Sequence, residues 1–210
     1  MFISPTREKI LKLFFNNPGL LIHQRGIARQ ADVVPQNVNK YLNEFVHDGL
    51  LLRSEIPHLT LFRINPKSDF VFKIFEVFEL DRKKEFYTQN EKIARLLNQY
   101  TENLIRLSQR EIQMVILFGP VTRGKRTKGS HVDILTVTST TVDNKKITRI
   151  QEKAAPRIGH LLKISPVHVT TGEFIEGIKN KLELYDELWK DRIVLYNEFL
   201  FWQSVREAKF

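Results

Sequence analysis

The chain reads as an α+β protein built from two small domains joined by a long helix, and three stretches carry that reading. Residues 5–66 set three segments of helical periodicity ahead of two short β-prone runs. Phe86, Ile93, Leu97, Tyr100, Leu104 and Leu107 recur at steps of four and three after a first step of seven, which predicts a long helix. From Val115 to Val137 two apolar, β-branched runs flank a basic, glycine-rich loop. The expected organisation is therefore a domain over 1–80, a linker helix over 81–111 and a mixed sheet flanked by helices over 112–210.

Ser4-Pro5-Thr6 opens the first helix with Thr6 expected as its cap, and Ile10, Leu11, Phe14 and Phe15 form its apolar stripe. Asn16-Asn17-Pro18-Gly19 ends it. A second helix is expected from about Gln24 to Ala31, and Pro35 suits the first position of a third that runs to about His47. Val38, Leu42 and Phe45 face inward on this third helix, whereas Gln36, Asn37, Asn39, Lys40 and Asn43 offer hydrogen-bond donors outward. Gly49 is a natural terminator. Beyond it Leu50 to Arg53 and Leu59 to Ile64 read as a hairpin across Ser54 to His58.

Residues 5–66 resemble the winged helix-turn-helix DNA-binding domains of many prokaryotic regulators. The likeness is clearest at Val34-Pro35-Gln36-Asn37-Val38-Asn39-Lys40-Tyr41-Leu42 and at Asp48-Gly49-Leu50-Leu51. It implies that the third helix enters the major groove and that the wing rests on the backbone. Gln36, Asn37, Asn39, Lys40 and Tyr41 are thereby nominated for double-stranded DNA, with Arg53 and Arg63 near phosphates. Such domains also serve as protein-contact modules, and residues 1–80 hold 10 basic against 8 acidic residues, a net of only +2. A polar, uncharged face reads bases more than it adds electrostatic grip.

From Asp69 to Leu80 a short fourth helix is expected, with the charged run Asp81 to Glu85 as boundary. The linker helix then runs to about Gln109, interrupted in its stripe by Asn90. That stripe suits a dimer seam, and its second half equally suits a helix covering the following sheet.

The loop between the two β-branched runs carries Arg123, Lys125, Arg126 and Lys128 and no acid. Gly119, Arg123, Gly124, Ser130 and Asp133 fall at the spacing of the signature of the minimal nucleotidyltransferases of the DNA polymerase β superfamily, which this stretch resembles. The resemblance implies a nucleotide bound at Gly119, Arg123, Gly124, Lys125 and Ser130, and a pair of magnesium ions clamped by an Asp-x-Asp and a third acid. Here Pro120 replaces the family's Ser and His131 its first Asp. Two-metal chemistry needs hard oxygen ligands around ions about 4 Å apart, and imidazole is a poor substitute. The third acid belongs on a later strand, placed between Lys163 and Thr171, yet no Asp or Glu occurs between Glu152 and Glu173. Asp133 is left as the single candidate catalytic residue, with Glu173 and Asp143 as acids from elsewhere that could fold into the site. No metal ligand set and no resident cofactor are expected, magnesium being required only if the site works. A P-loop reading of Gly119, Gly124 and Lys125 fails because Arg126 replaces the hydroxyl residue and an apolar run follows where a helix should start.

Downstream, a helix from Lys145 to about Gly159, a strand from Lys163 to Thr170, a helix from about Gly172 to Lys190, a strand from Ile193 to Tyr196 and a terminal helix with Phe199, Phe201, Trp202 and Val205 are expected. The aromatics read as core or interface rather than base-stacking residues. Across 210 residues, 42% hydrophobic content suffices for real cores, and the net charge of +9 favours a polyanionic partner. The absence of cysteine excludes disulfides and thiolate metal sites, and no run approaches the roughly 20 apolar residues of a membrane span. The combined expectation is a cytoplasmic homodimeric transcriptional regulator whose degenerate nucleotidyltransferase-like domain dimerises or senses a nucleotide. The alternatives are an active nucleotidyltransferase acting on a protein or nucleic acid, and a protein-interaction adaptor.

Overall fold

Ser4, not Thr6, caps the first helix, because its hydroxyl accepts from the Arg7 backbone N–H and leaves Pro5 at the first helical position. A computed structural model describes residues 4–109, 111–123, 131–139, 143–155 and 163–208. The chain divides into two compact units, Met1–Phe75 and Glu76–Lys209.

In the first unit α1 (Pro5–Asn16), β1 (Ile22–His23), α2 (Gln24–Ala31), α3 (Pro35–His47), β2 (Leu51–Ile56) and β3 (Leu59–Ile64) follow in order. The antiparallel sheet has the strand order β1-β3-β2, with Ile22 opposite Phe62 and Arg53 also opposite Phe62 from the other side. The two-residue β1 is too short to carry a periodic signal and was not expected. β2 reaches Ile56, so the hairpin closes on Pro57 and His58 rather than on a five-residue loop, with His58 taking φ +64°. Gly49 ends α3 at φ +71°, and the Leu50 and Gly49 amides donate back to Phe45 and Val46, the paired bonds of a Schellman motif. Ile10, Leu11, Phe14, Ile27, Val38 and Leu42 are sealed in the core beneath.

α4 runs from Asp69 to Gln89 without stopping at Leu80. Charge alone does not end a helix: Asp81, Lys84 and Glu85 simply lie on its exposed side, and no glycine or proline intervenes. The break comes at Asn90, whose backbone leaves helical geometry and whose side chain donates to the Phe86 carbonyl. α5 (Glu91–Leu107) begins there.

The second unit carries a sheet of order β6-β5-β4-β7, formed by β4 (Ile112–Phe118), β5 (His131–Thr138), β6 (Lys163–Thr170) and β7 (Ile193–Tyr196). β4 is antiparallel to β5 and β7, and β6 is parallel to β5. α6 (Asn144–Ala154) makes the β5 to β6 crossover, of which residues 140–142 and 156–162 lie outside the described set. One sheet face, with Val115, Leu117, Val132, Ile134 and Ile193, meets Ile93, Leu97, Tyr100 and Leu104 of α5 and Ile147 of α6. The second half of the apolar stripe thus covers the chain's own sheet. The helix expected over 172–190 is two, α7 (Thr171–Lys179) and α8 (Glu183–Asp191), with Lys181 at φ 51° between them. α9 (Glu198–Glu207) follows β7, and Phe174, Tyr185, Trp189, Phe201 and Trp202 interlock edge to face or tilted. Among the described residues no helix is long and apolar enough to cross a membrane.

Candidate nucleotide and nucleic-acid sites

β4 and β5 end together, with Phe118 opposite Asp133, so the Asp133 carboxylate stands beside the turn that leaves β4. Gly119 makes that possible twice over. It takes φ +80°, and a Cβ there would lie 2.5 Å from Asp133 Oδ2. A single 3₁₀ turn, Pro120–Arg123, follows, held by the Thr122 hydroxyl donating to the Gly119 carbonyl at 2.6 Å. Residues 97–200 match the nucleotidyltransferase domain family. No curated protein and no solved structure gives a significant match to the chain.

Within the nucleotidyltransferase-like domain, strand register decides what accompanies Asp133. His131 is exposed and shares its face by alternation, and β6 brings Lys163 opposite His131 and Ser165 opposite Asp133. His168 is paired with Thr136, which turns it to the other face, where its ring meets the Thr138 hydroxyl at 3.0 Å. Burial pushes this imidazole down, with Glu173 opposing. Neither acid that folding was to bring in reaches Asp133. Asp143 caps α6 by accepting from the Lys145 amide, and Glu173 caps α7 by accepting from the Thr170 amide and hydroxyl. Both lie past the Thr138 end of β5, five residues or about 17 Å along the strand from Asp133. Among the described residues no group of three or more metal-ligating side chains converges. One carboxylate beside a serine and an imidazole does not fit a magnesium pair.

Arg123, nominated for phosphate, is turned to α8. Its Nη1 donates to Asp191 and lies 3.7 Å from Glu187 Oε2, whose other oxygen accepts from Lys190 at 2.6 Å. Asp191 sits in the last turn of α8, where a carboxylate opposes the helix dipole unless a cation answers it. Sequence gave no sign of this pairing, which joins residues 68 positions apart. Gly124, Lys125 and Ser130, with Arg126 and Lys128, lie outside the described residues.

In the first unit Gln36, Asn37, Asn39 and Lys40 are exposed on α3, and Tyr41 is half-buried. Gln24 Nε2 donates to the Pro35 carbonyl at 3.3 Å and ties α2 to the start of this helix. Arg53 and Arg63 do not share a side of the hairpin. Arg53 is paired with Phe62 and Arg63 with Leu52, so alternation sends the two guanidinium groups to opposite faces. Arg53 also donates to Glu55 at 2.5 Å. Two further residues join this surface that pattern reading missed, Arg7 of α1 and Glu44 of α3, which are ion-paired across the helices.

Proposed function

We propose that the protein is a cytoplasmic DNA-binding regulator, a winged helix-turn-helix unit linked to a nucleotidyltransferase-like unit that binds or pairs without transferring nucleotides. The observation that carries the DNA reading is the outward row of Gln36, Asn37, Asn39 and Lys40 on a helix fixed from behind by Val38, Leu42 and Phe45. Side-chain amides on a rigid helix are suited to the edges of bases, Asn and Gln above all to adenine. The hairpin beside it carries Arg63 and Arg53 on opposite faces, Arg53 exchanging Glu55 for a phosphate. A homodimer would match such a helix to two half-sites.

Selection from a random duplex library at moderate salt is the test. Enrichment of a short motif is expected, and Asn37→Ala should weaken the selected site by about 1–3 kcal/mol while leaving random duplex little changed. Recovery of no motif removes sequence-specific binding from the account.

The second reading, an active nucleotidyltransferase with magnesium, is favoured by one observation, the seating of Asp133 over Gly119 within the family-matched segment. The incomplete carboxylate set weighs against it.

A further inference from the structure

Glu44 is the discordant residue of the proposed reading surface. It shares one stripe of α3 with Asn37, Lys40 and Tyr41, at helical steps of three and four. A carboxylate there faces the same polyanion that Lys40 would attract, and unanswered it would repel the approaching phosphates over roughly a Debye length of about 10 Å.

Arg7, on a different helix, answers it. Its Nη2 donates to Glu44 Oε2, and its guanidinium carbon lies 5.6 Å from the centroid of the Tyr41 ring. Lys40 Nζ lies 5.9 Å from the same ring. The Arg7 and Glu44 side chains are 39% and 31% exposed, so the pair is part of the surface a duplex would meet and not a core contact. A guanidinium both hydrogen-bonded to an acid and laid against an aromatic face is held in one orientation, which an ammonium reproduces poorly.

Resting on the DNA reading above, we infer that Arg7 is a positioning residue of the DNA-reading surface, cancelling the charge of Glu44 and holding Tyr41 and Lys40 in their outward presentation. Its role is indirect. The partner it serves is the phosphate backbone of duplex DNA, and the cost of losing it is the acid it leaves uncovered.

Fluorescence anisotropy with a fluorescein-labelled mixed-sequence duplex at low salt separates this from a plain structural role. Arg7→Ala should weaken binding about tenfold, and the double variant Arg7→Ala, Glu44→Gln should regain most of that loss because the acid is gone. Arg7→Lys, which keeps charge but not the planar fork, should fall between them. Arg7→Gln stands in for Arg7→Ala if circular dichroism shows the latter unfolded. Unchanged binding by Arg7→Ala overturns the inference, as does a loss that Glu44→Gln fails to restore, since Arg7 would then touch DNA itself or merely support the fold. A parent protein that binds no duplex removes the DNA reading and this inference together, whereas a binding parent with an indifferent Arg7→Ala removes the inference alone.

Discussion

Arg192 and Glu79 are both sealed from solvent, and Arg192 donates through Nε and Nη2 to the same carboxylate oxygen at 2.7 and 2.6 Å. Burial raises the Glu79 carboxyl and lowers the guanidinium, each partner opposes the shift of the other, and the neighbouring Arg82 also draws the Glu79 carboxyl down. The guanidinium also lies 4.7 Å from the Trp189 ring centroid, 5.1 Å from that of Phe201 and 5.2 Å from that of Trp202. Removing Glu79 strands Arg192 beside the largely buried Arg82, whereas removing Arg192 leaves Glu79 with Arg82 as a remaining cation. Glu79→Gln should therefore lower unfolding free energy by about 3–5 kcal/mol, measured by urea denaturation, and Arg192→Leu should cost less. A Glu79→Gln loss below about 1 kcal/mol would show that the pair is not sealed as described. Nothing in the sequence announces this contact. Glu79 reads as one more acid on a helix, and its partner is 113 residues away.

At the level of elements, the caps govern how the sheet's helices begin. Thr170 and Glu173 form a capping box on α7, and the Thr170 amide and hydroxyl, donating at 2.7 and 2.9 Å, hold the Glu173 carboxyl below the usual carboxylate range. A depressed folded pKa means that the unfolded chain binds the proton more readily. The stabilisation is thus complete above the unfolded value of about 4.3 and is lost as pH falls through the lower folded value. Glu173→Gln should flatten stability against pH on the acid side of that window, seen in thermal melts, and an unchanged acid slope would contradict the capping account. Elements with a strong period or a stop signal were legible in sequence: α2, α3, β6 and β7 lie where periodicity and turn residues put them, and Gly49 ends α3 as its φ requires. The rest was hidden for physical reasons. A charged run looks like a boundary but continues α4, with Asp81, Lys84 and Glu85 outward and Arg82 and Lys83 turned inward, whereas Lys181 divides α7 from α8 in a left-handed turn that no glycine marks. In the candidate site, spacing was enough to find Asp133 and Gly119, because a fixed register carries them. The ion pairs of Arg123 with α8 and of Arg7 with Glu44 depend on packing between elements and left no trace in spacing.

For the molecule as a whole, the family-matched segment over 97–200 carries an incomplete donor set for nucleotidyl transfer. Asp133 is the sole acid at a signature position, β6 sets Ser165 beside it, Pro120 has neither the hydroxyl nor the backbone N–H of the residue it replaces, and Glu173 and Asp143 are held as helix caps. Changing His131 to Asp would repair one of these departures and leave the others. The most direct measurement incubates the purified protein with each radiolabelled nucleoside triphosphate, magnesium or manganese, and both itself and cell lysate as acceptors. The account predicts no transferred label from the unaltered protein. Metal-dependent labelling that disappears in Asp133→Ala would contradict it and make this chain a divergent nucleotidyltransferase.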